Sequence, residues 1–315
     1  MLLYNVLRLP VIRRRHLLAA PAVLLPVYAR GQTATPAPVL ASFSILADMV
    51  RSIGGPAISV AAVVGPDRDA HGFAPRASDQ RTLQASRAAF ANGLGFDPWM
   101  DRMVRAASFR GPFTKAAEGV ATRAMQGGHS HGGGGHRHGT AIDPHAWQDL
   151  GTAPVYARNI VAGLARALPA EATGLEARAA KFVADAATLD AWVRAEIATV
   201  PPERRKVLTS HDAFGYFAAA YGVTFLAPQG ISTESEPSAA QMARLIRQVR
   251  DQGIRAVFLE NMANPRLLQQ LAREAGVEVQ GRLYVDALSG PDGPAPTWFA
   301  MFRHNVPLLV RAMLQ

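Results

Sequence analysis

The chain has 315 residues, 49% hydrophobic and 18% charged, enough to bury the core of one large domain or of two ordinary ones. It contains no cysteine, which excludes a disulfide framework and any thiolate metal site and leaves His, Asp and Glu as metal ligands. Its formal net charge of +9 is carried by scattered arginines with no dense run beside aromatic residues, so the composition argues against a nucleic-acid partner.

Four of those arginines, Arg8, Arg13, Arg14 and Arg15, fall in residues 1–29, which hold no acid. Arg13-Arg14-Arg15 precedes Leu17–Tyr28, an apolar stretch too short to span a membrane as a helix, and Val27-Tyr28-Ala29 ends on a small residue. Residues 1–29 are therefore expected to be a signal peptide cleaved near Ala29. Arg14-Arg15-His16-Leu17-Leu18 is also loosely twin-arginine-like. With no cysteine to carry a lipid anchor, the mature protein is expected free in the periplasm. Residues 30–38, rich in Pro, Ala and Thr, read as a flexible leader.

From Val39 onward, short apolar runs alternate with helical patterns. Val39–Phe43 reads as a strand, followed by a helix through Ile53 that Gly54-Gly55 stops. Ser59–Val64 is a second strand, Ala77–Arg87 a helix and Ala88–Ala91 a short buried run. Asp97-Pro98 predicts a helix start, with Asp as cap and Pro at the first helical position. Ala153–Leu168 is helical. Glu171–Val200, without Pro and without Gly after Gly174, predicts one long helix ended by Pro201-Pro202. Then come strand Lys206–Thr209, helix Ala213–Tyr221, strand Val223–Leu226 and helix Ser238–Gln252 with a Ser-Ala-Ala-Gln capping box. Strand Ala256–Leu259, helix Pro265–Ala275, strand Arg282–Val285 and helix Trp298–Leu314 close the chain. The alternation predicts α/β architecture: two blocks, each a mostly parallel sheet flanked by helices, joined by one long helix. No sequence repeat relates the blocks.

The chemistry is suggested by nine histidines. His129, His131, His136 and His138 lie in the glycine-rich segment 127–139, where no core holds them and each ring is free to turn toward an ion. His145 differs, because it sits in the stiff turn Asp143-Pro144-His145. His71 follows the strand ending at Val64. His211 follows Val207-Leu208-Thr209-Ser210 and is expected to open a helix. Ligands in open α/β sheets sit beyond the carboxyl ends of strands, so these positions predict a metal site. His304 lies inside the last helix and reads as a surface or packing residue. A closed tetrahedral site needs a fourth ligand, and Asp286 and Glu260, each expected to end a strand, are the candidates. Whichever does not coordinate is expected to orient a histidine.

Asp69-Ala70-His71-Gly72-Phe73-Ala74-Pro75, Asp143-Pro144-His145-Ala146-Trp147, Ser210-His211-Asp212-Ala213-Phe214-Gly215-Tyr216-Phe217 and Tyr284-Val285-Asp286-Ala287-Leu288 resemble, in order, the four ligand motifs of the zinc/manganese solute-binding proteins of ABC transporters. The resemblance extends from about Val39 to the end. It includes Asn92-Gly93-Leu94-Gly95, the long helix and Ser232-Thr233-Glu234-Ser235-Glu236-Pro237-Ser238. It implies His71, His145, His211 and Asp286 as ligands, with Glu260 behind them or as a backup ligand. His rather than Glu at position 211, and the histidine-rich loop, resemble the zinc branch. Ala70-His71-Gly72-Phe73 departs from the Pro-His pattern of many members.

The resemblance further implies an N-terminal lobe over 39–170, a rigid linking helix over 171–200 and a C-terminal lobe over 201–315, with the metal in the cleft between lobes. The implied function is capture of Zn(II), with Mn(II) or other divalent metals less favoured, and delivery to a permease with a cytoplasmic ATPase. A periplasmic zinc chaperone is a further possible partner, and the protein is expected to be a monomer without enzymatic activity. Two rivals stand beside this reading: a metal buffer or adhesin without a transporter, and a secreted zinc hydrolase. A fourth protein ligand argues against the hydrolase, since catalytic zinc keeps an open position, and no HExxH helix is present.

Overall fold

Two four-stranded parallel sheets, built in the same order, form the frame. The computed structural model describes residues 35–124, 142–229 and 237–315. The first sheet contains β1 (Ala37–Phe43), β2 (Ile58–Val64), β3 (Ala88–Ala91) and β4 (Phe113–Lys115), in the order β2-β1-β3-β4. The second contains β5 (Lys206–Leu208), β6 (Thr224–Leu226), β7 (Ala256–Glu260) and β8 (Val279–Leu283), in the order β6-β5-β7-β8. All neighbouring strands are parallel. The two blocks thus repeat one topology without repeating a sequence.

Parallel neighbours require crossovers, and helices supply them. The first half carries α1 (Ser44–Gly54), α2 (Ala77–Ala85), α3 (Pro98–Ala106) and α4 (Ala153–Ala167). α5 (Ala172–Ala198) is the long helix. The second half carries α6 (Gly215–Tyr221), α7 (Ala239–Asp251), α8 (Pro265–Ala275) and α9 (Trp298–Leu314). Local sequence accounts for most boundaries. α1 ends where Gly55 takes φ 59°, a left-handed turn open to glycine. α5 buries Leu175, Phe182, Leu189, Val193 and Ile197 along one stripe. The box predicted at α7 is formed: Ser238 Oγ accepts from Gln241 N, and Gln241 Oε1 accepts from Ser238 N.

Three local expectations are corrected, and one strand is added. β4 escapes the sequence pattern because it is three residues long. β8 runs Val279–Leu283 rather than 282–285, so Asp286 lies beyond the strand. The helix expected from Ala213 starts at Gly215, and His211 instead forms a parallel bridge with Gln229, its backbone held extended by Glu260. Asp97 stands at the start of α3 without capping it. Its carboxylate accepts from Asn92 N at 2.7 Å and Gly93 N at 3.0 Å, and burial raises its pKa.

The main apolar core runs from the first sheet through α4 and α5 into β5, β7 and α9, and residues 35–315 form one compact unit. A smaller cluster, including Leu208, Val249, Val257 and Leu271, lies under α7 and α8. Asp48 of α1 reaches across to accept from Trp298 N at 2.8 Å, tying α9 to the first half. No helix among the described residues is long and apolar enough to cross a membrane. The expected signal peptide, His129, His131, His136, His138 and Ser232–Glu236 lie outside the described residues.

Candidate metal centre

His71, His145, His211 and Asp286 converge, and each offers one donor atom within 4.8 Å of all the others. The imidazoles face one another through Nε2. His71 Nε2 is 3.0 Å from Asp286 Oδ2 and 3.4 Å from His145 Nε2. His211 Nε2 is 2.9 Å from Asp286 Oδ2, and His145 Nε2 is 3.8 Å from Asp286 Oδ1.

Two of the histidines are aimed by the same short device. In Asp69-Ala70-His71, Asp69 Oδ1 accepts the His71 backbone N–H at 2.9 Å. In Asp143-Pro144-His145, Asp143 Oδ1 accepts the His145 backbone N–H at 2.9 Å and also engages ring Nδ1 at 2.8 Å. Such Asx turns are local, so the spacing alone builds them. Each turn is then fixed from outside. Trp99 Nε1 donates to Ala70 O at 2.9 Å. Asn92 Nδ2 donates to Pro144 O at 3.0 Å, and Asn92 Oδ1 accepts from Tyr156 OH at 2.6 Å.

His211 is aimed by a distant residue instead. Glu260, at the end of β7, accepts from Ser210 N and His211 N through Oε1 at 2.9 and 3.0 Å, while Oε2 engages His211 Nδ1. Asp143 and Glu260 therefore hold Nδ1 of their histidines and leave Nε2 toward the common point. Carboxylates behind metal-facing imidazoles set the tautomer this way. Glu260 is absent from the converging donor set and faces the back of His211.

The electrostatics match a cation receptor. Burial disfavours a charged His211, but Glu260 and Asp286 outweigh it and hold its pKa well above the usual imidazole value. Burial also opposes ionisation of Asp286, but the His211 and His145 rings outweigh it and hold its pKa well below the carboxylate range. His211 Nε2 and Asp286 Oδ1 are buried, and apart from the 2.9 Å approach of His211 Nε2 to Asp286 Oδ2 neither has a hydrogen-bond partner among the described residues. Buried polar atoms without partners are costly, and a bound cation would satisfy both. Three neutral imidazoles and one carboxylate suit a divalent ion of the zinc group, leaving a site of net charge +1.

His304 stays outside the cluster, with Nε2 3.2 Å from Arg282 O and its ring edge-on to Tyr284. Sequence reasoning gave Asn92 no role beyond its place in the Asn92-Gly93-Leu94-Gly95 motif, and it missed the Nδ1 role of Asp143 and Gln148, whose buried amide donates to Val285 O at 2.8 Å. Only the Asp-X-His spacing could have pointed to one of them.

The sequence matches the family described as ZnuA, zinc-uptake complex component A periplasmic, over residues 39–312. It is 27% identical over 277 residues to the manganese-binding lipoprotein MntA of Halalkalibacterium halodurans, covering 88% of each chain. It is 26% identical to the iron-binding protein YfeA of Yersinia pestis, covering 90% of this chain and 89% of that one. Among solved structures, the periplasmic zinc binding protein TroA of Treponema pallidum superposes with a TM-score of 0.80 at 25% identity, over 88% of this chain and 99% of that chain.

Proposed function

Because the chain belongs to the family of periplasmic zinc-uptake complex component A proteins, we propose that it captures Zn(II) between its two sheets and delivers it to an ABC-type importer. The family role is that of a metal-binding solute-binding component of an ABC transporter. The finer reading is that His71, His145, His211 and Asp286 are the ligands, with Asp143 and Glu260 orienting two of the rings. The loaded protein docks on a permease, and a cytoplasmic ATPase drives import. Residues 1–29 direct export and are removed near Ala29. Residues 39–170 and 201–315 act as two lobes on the helix predicted over 171–200. The segment 127–139 supplies weaker, auxiliary metal binding. No catalytic step is assigned.

The observation that carries this reading is the convergence of three Nε2 atoms and one carboxylate within 4.8 Å, two of the rings backed by carboxylates. A nitrogen-rich, oxygen-poor set favours Zn(II) over Mn(II), which prefers six oxygen-rich ligands. The relatives named as manganese-binding support Mn(II) as the second reading. Calorimetric titration of the metal-free protein with each ion separates the two. Tight Zn(II) binding that Mn(II) cannot displace is expected, whereas tighter Mn(II) binding would reverse the assignment. No tight binding of either ion would remove the metal reading altogether. Metal analysis of protein purified from its native periplasm identifies the physiological cargo.

A further inference from the structure

Asp286 comes from the second half of the chain, yet the first half holds it from both sides. On one flank, Val285 O accepts from Trp147 Nε1 at 2.9 Å and from Gln148 Nε2 at 2.8 Å. On the other, Leu288 N donates to Ser44 Oγ at 2.9 Å, and Leu288 O accepts from Asp67 N at 2.9 Å. The second half holds the same segment through Asn305, which brackets Tyr284, and through Asn261 Nδ2, which donates to Ala287 O at 3.2 Å. Asp286 thus sits on a strap pinned to both halves. His211 itself is held by Glu260, Gln229 and Thr209, all of the second half.

Gln148 is the unexpected member of this arrangement. It is a neutral amide 1% exposed, three residues beyond His145. Burying an amide is unfavourable unless it is hydrogen-bonded, and its bond goes to a carbonyl that already accepts an indole N–H. A carbonyl has two lone pairs, so both of Val285's are taken by the turn that carries His145. One peptide further on is Asp286.

We propose that Gln148 is a positioning residue that locks Asp286 to the half-site of His71 and His145, so that the first half holds three of the four ligands in place and the second half holds His211. This rests on the reading of these four residues as metal ligands. The strap keeps Asp286 beside the other two rings, while Glu260 fixes His211 to the end of β7. Loosening Asp286 weakens the site without dismantling it, because the three imidazoles stay in place.

The test is the rate of Zn(II) loss to a chelator, followed by stopped flow. Gln148→Met keeps the volume and removes the donor. It is expected to raise the off-rate about tenfold, the effect of one well-placed buried hydrogen bond, with the on-rate unchanged. In an Asp286→Ala background the same substitution is expected to change nothing further, whereas in a His211→Ala background its tenfold effect persists. Ser44→Ala, which loosens the opposite flank, is the second probe, and it carries the test if Gln148→Met fails to accumulate. An unchanged off-rate, or equal effects in both backgrounds, overturns the role of Gln148. If the unaltered protein binds no Zn(II), the metal reading itself falls.

Discussion

Trp147 donates its indole N–H to the backbone carbonyl of Val285 at 2.9 Å, joining the residue two places after one candidate ligand to the residue just before another. The same ring is fully buried against Phe43, Phe96 and His145, and Trp147 O accepts from Trp298 Nε1. Trp147→Ala would leave a large cavity between the halves. A loss of about 3–5 kcal/mol of stability is expected, read by urea unfolding of the metal-free protein. A loss below about 1 kcal/mol would mean that the interface repacks without it.

Glu260→Gln keeps the shape of the residue that aims His211. The amide oxygen can still accept from Ser210 N and His211 N, which turns the amide NH2 toward ring Nδ1. Nδ1 must then accept, and the proton moves to Nε2, where a metal would bind. Zn(II) affinity is expected to fall about 10–100-fold, and metal-free stability to fall as well near neutral pH, because the buried carboxylate that holds His211 charged is gone. Calorimetry and thermal unfolding on one sample separate the two effects, and unchanged affinity would count against the orienting role.

Gly215 opens α6 directly over Asp143, and a Cβ there would lie 2.3 Å from Asp143 Oδ2. The constraint is space, since the carboxylate must stay where His145 Nδ1 can reach it. Gly215→Ala is expected to push Asp143 aside and weaken Zn(II) binding by the same order as loss of an orienting carboxylate, about 10–100-fold. Asp143→Asn should reproduce the loss. Full affinity in Gly215→Ala would show that the carboxylate can shift without cost.

Metal uptake should release a proton. Despite its burial, the metal-free His211 is held protonated above the ordinary imidazole range by Glu260 and Asp286, and the ion needs its Nε2 lone pair. Above the raised pKa there is no proton to displace and affinity is flat. As pH falls through it, affinity declines by up to about tenfold per unit. Asp286, held low by the rings, stays ionised and adds no loss in this range. Dissociation constants measured from pH 8.5 downward should therefore weaken before pH 6.5 is reached. A flat profile to that point would contradict the assignment.

Deleting residues 127–139 should leave one tight Zn(II) equivalent and remove weaker additional ones, because four donors converge among the described residues, outside that segment. Stoichiometry by equilibrium dialysis reads both classes. Loss of the tight equivalent would place a histidine of the segment in the main site.

The alternation of strand and helix, the long helix and the Asp-X-His turns were legible in the chain because each depends on neighbours within a few residues. Periodicity places β1, β2 and α5, Asx spacing orients the backbone at His71 and His145, and the capping box starts α7. What the local pattern misplaced is equally physical. β4 is too short to carry a period. Asp97 prefers the two buried N–H groups of the Asn92 turn to the end of its own helix. His211 is held extended rather than helical by a carboxylate 49 residues away.

The residue types of a candidate metal site, three imidazoles and an acid without any thiolate, are therefore properties of the sequence itself. Their convergence is not, nor is the choice between Asp286 and Glu260, which look alike at the ends of two apolar runs. Sheet order places the two carboxylates differently. β7 lies next to β5, so Glu260 meets the back of His211, while the chain leaving β8 crosses to the first half and brings Asp286 onto three Nε2 atoms. Burial then makes unpaired donors costly, and only the assembled fold determines which atoms are left facing one point.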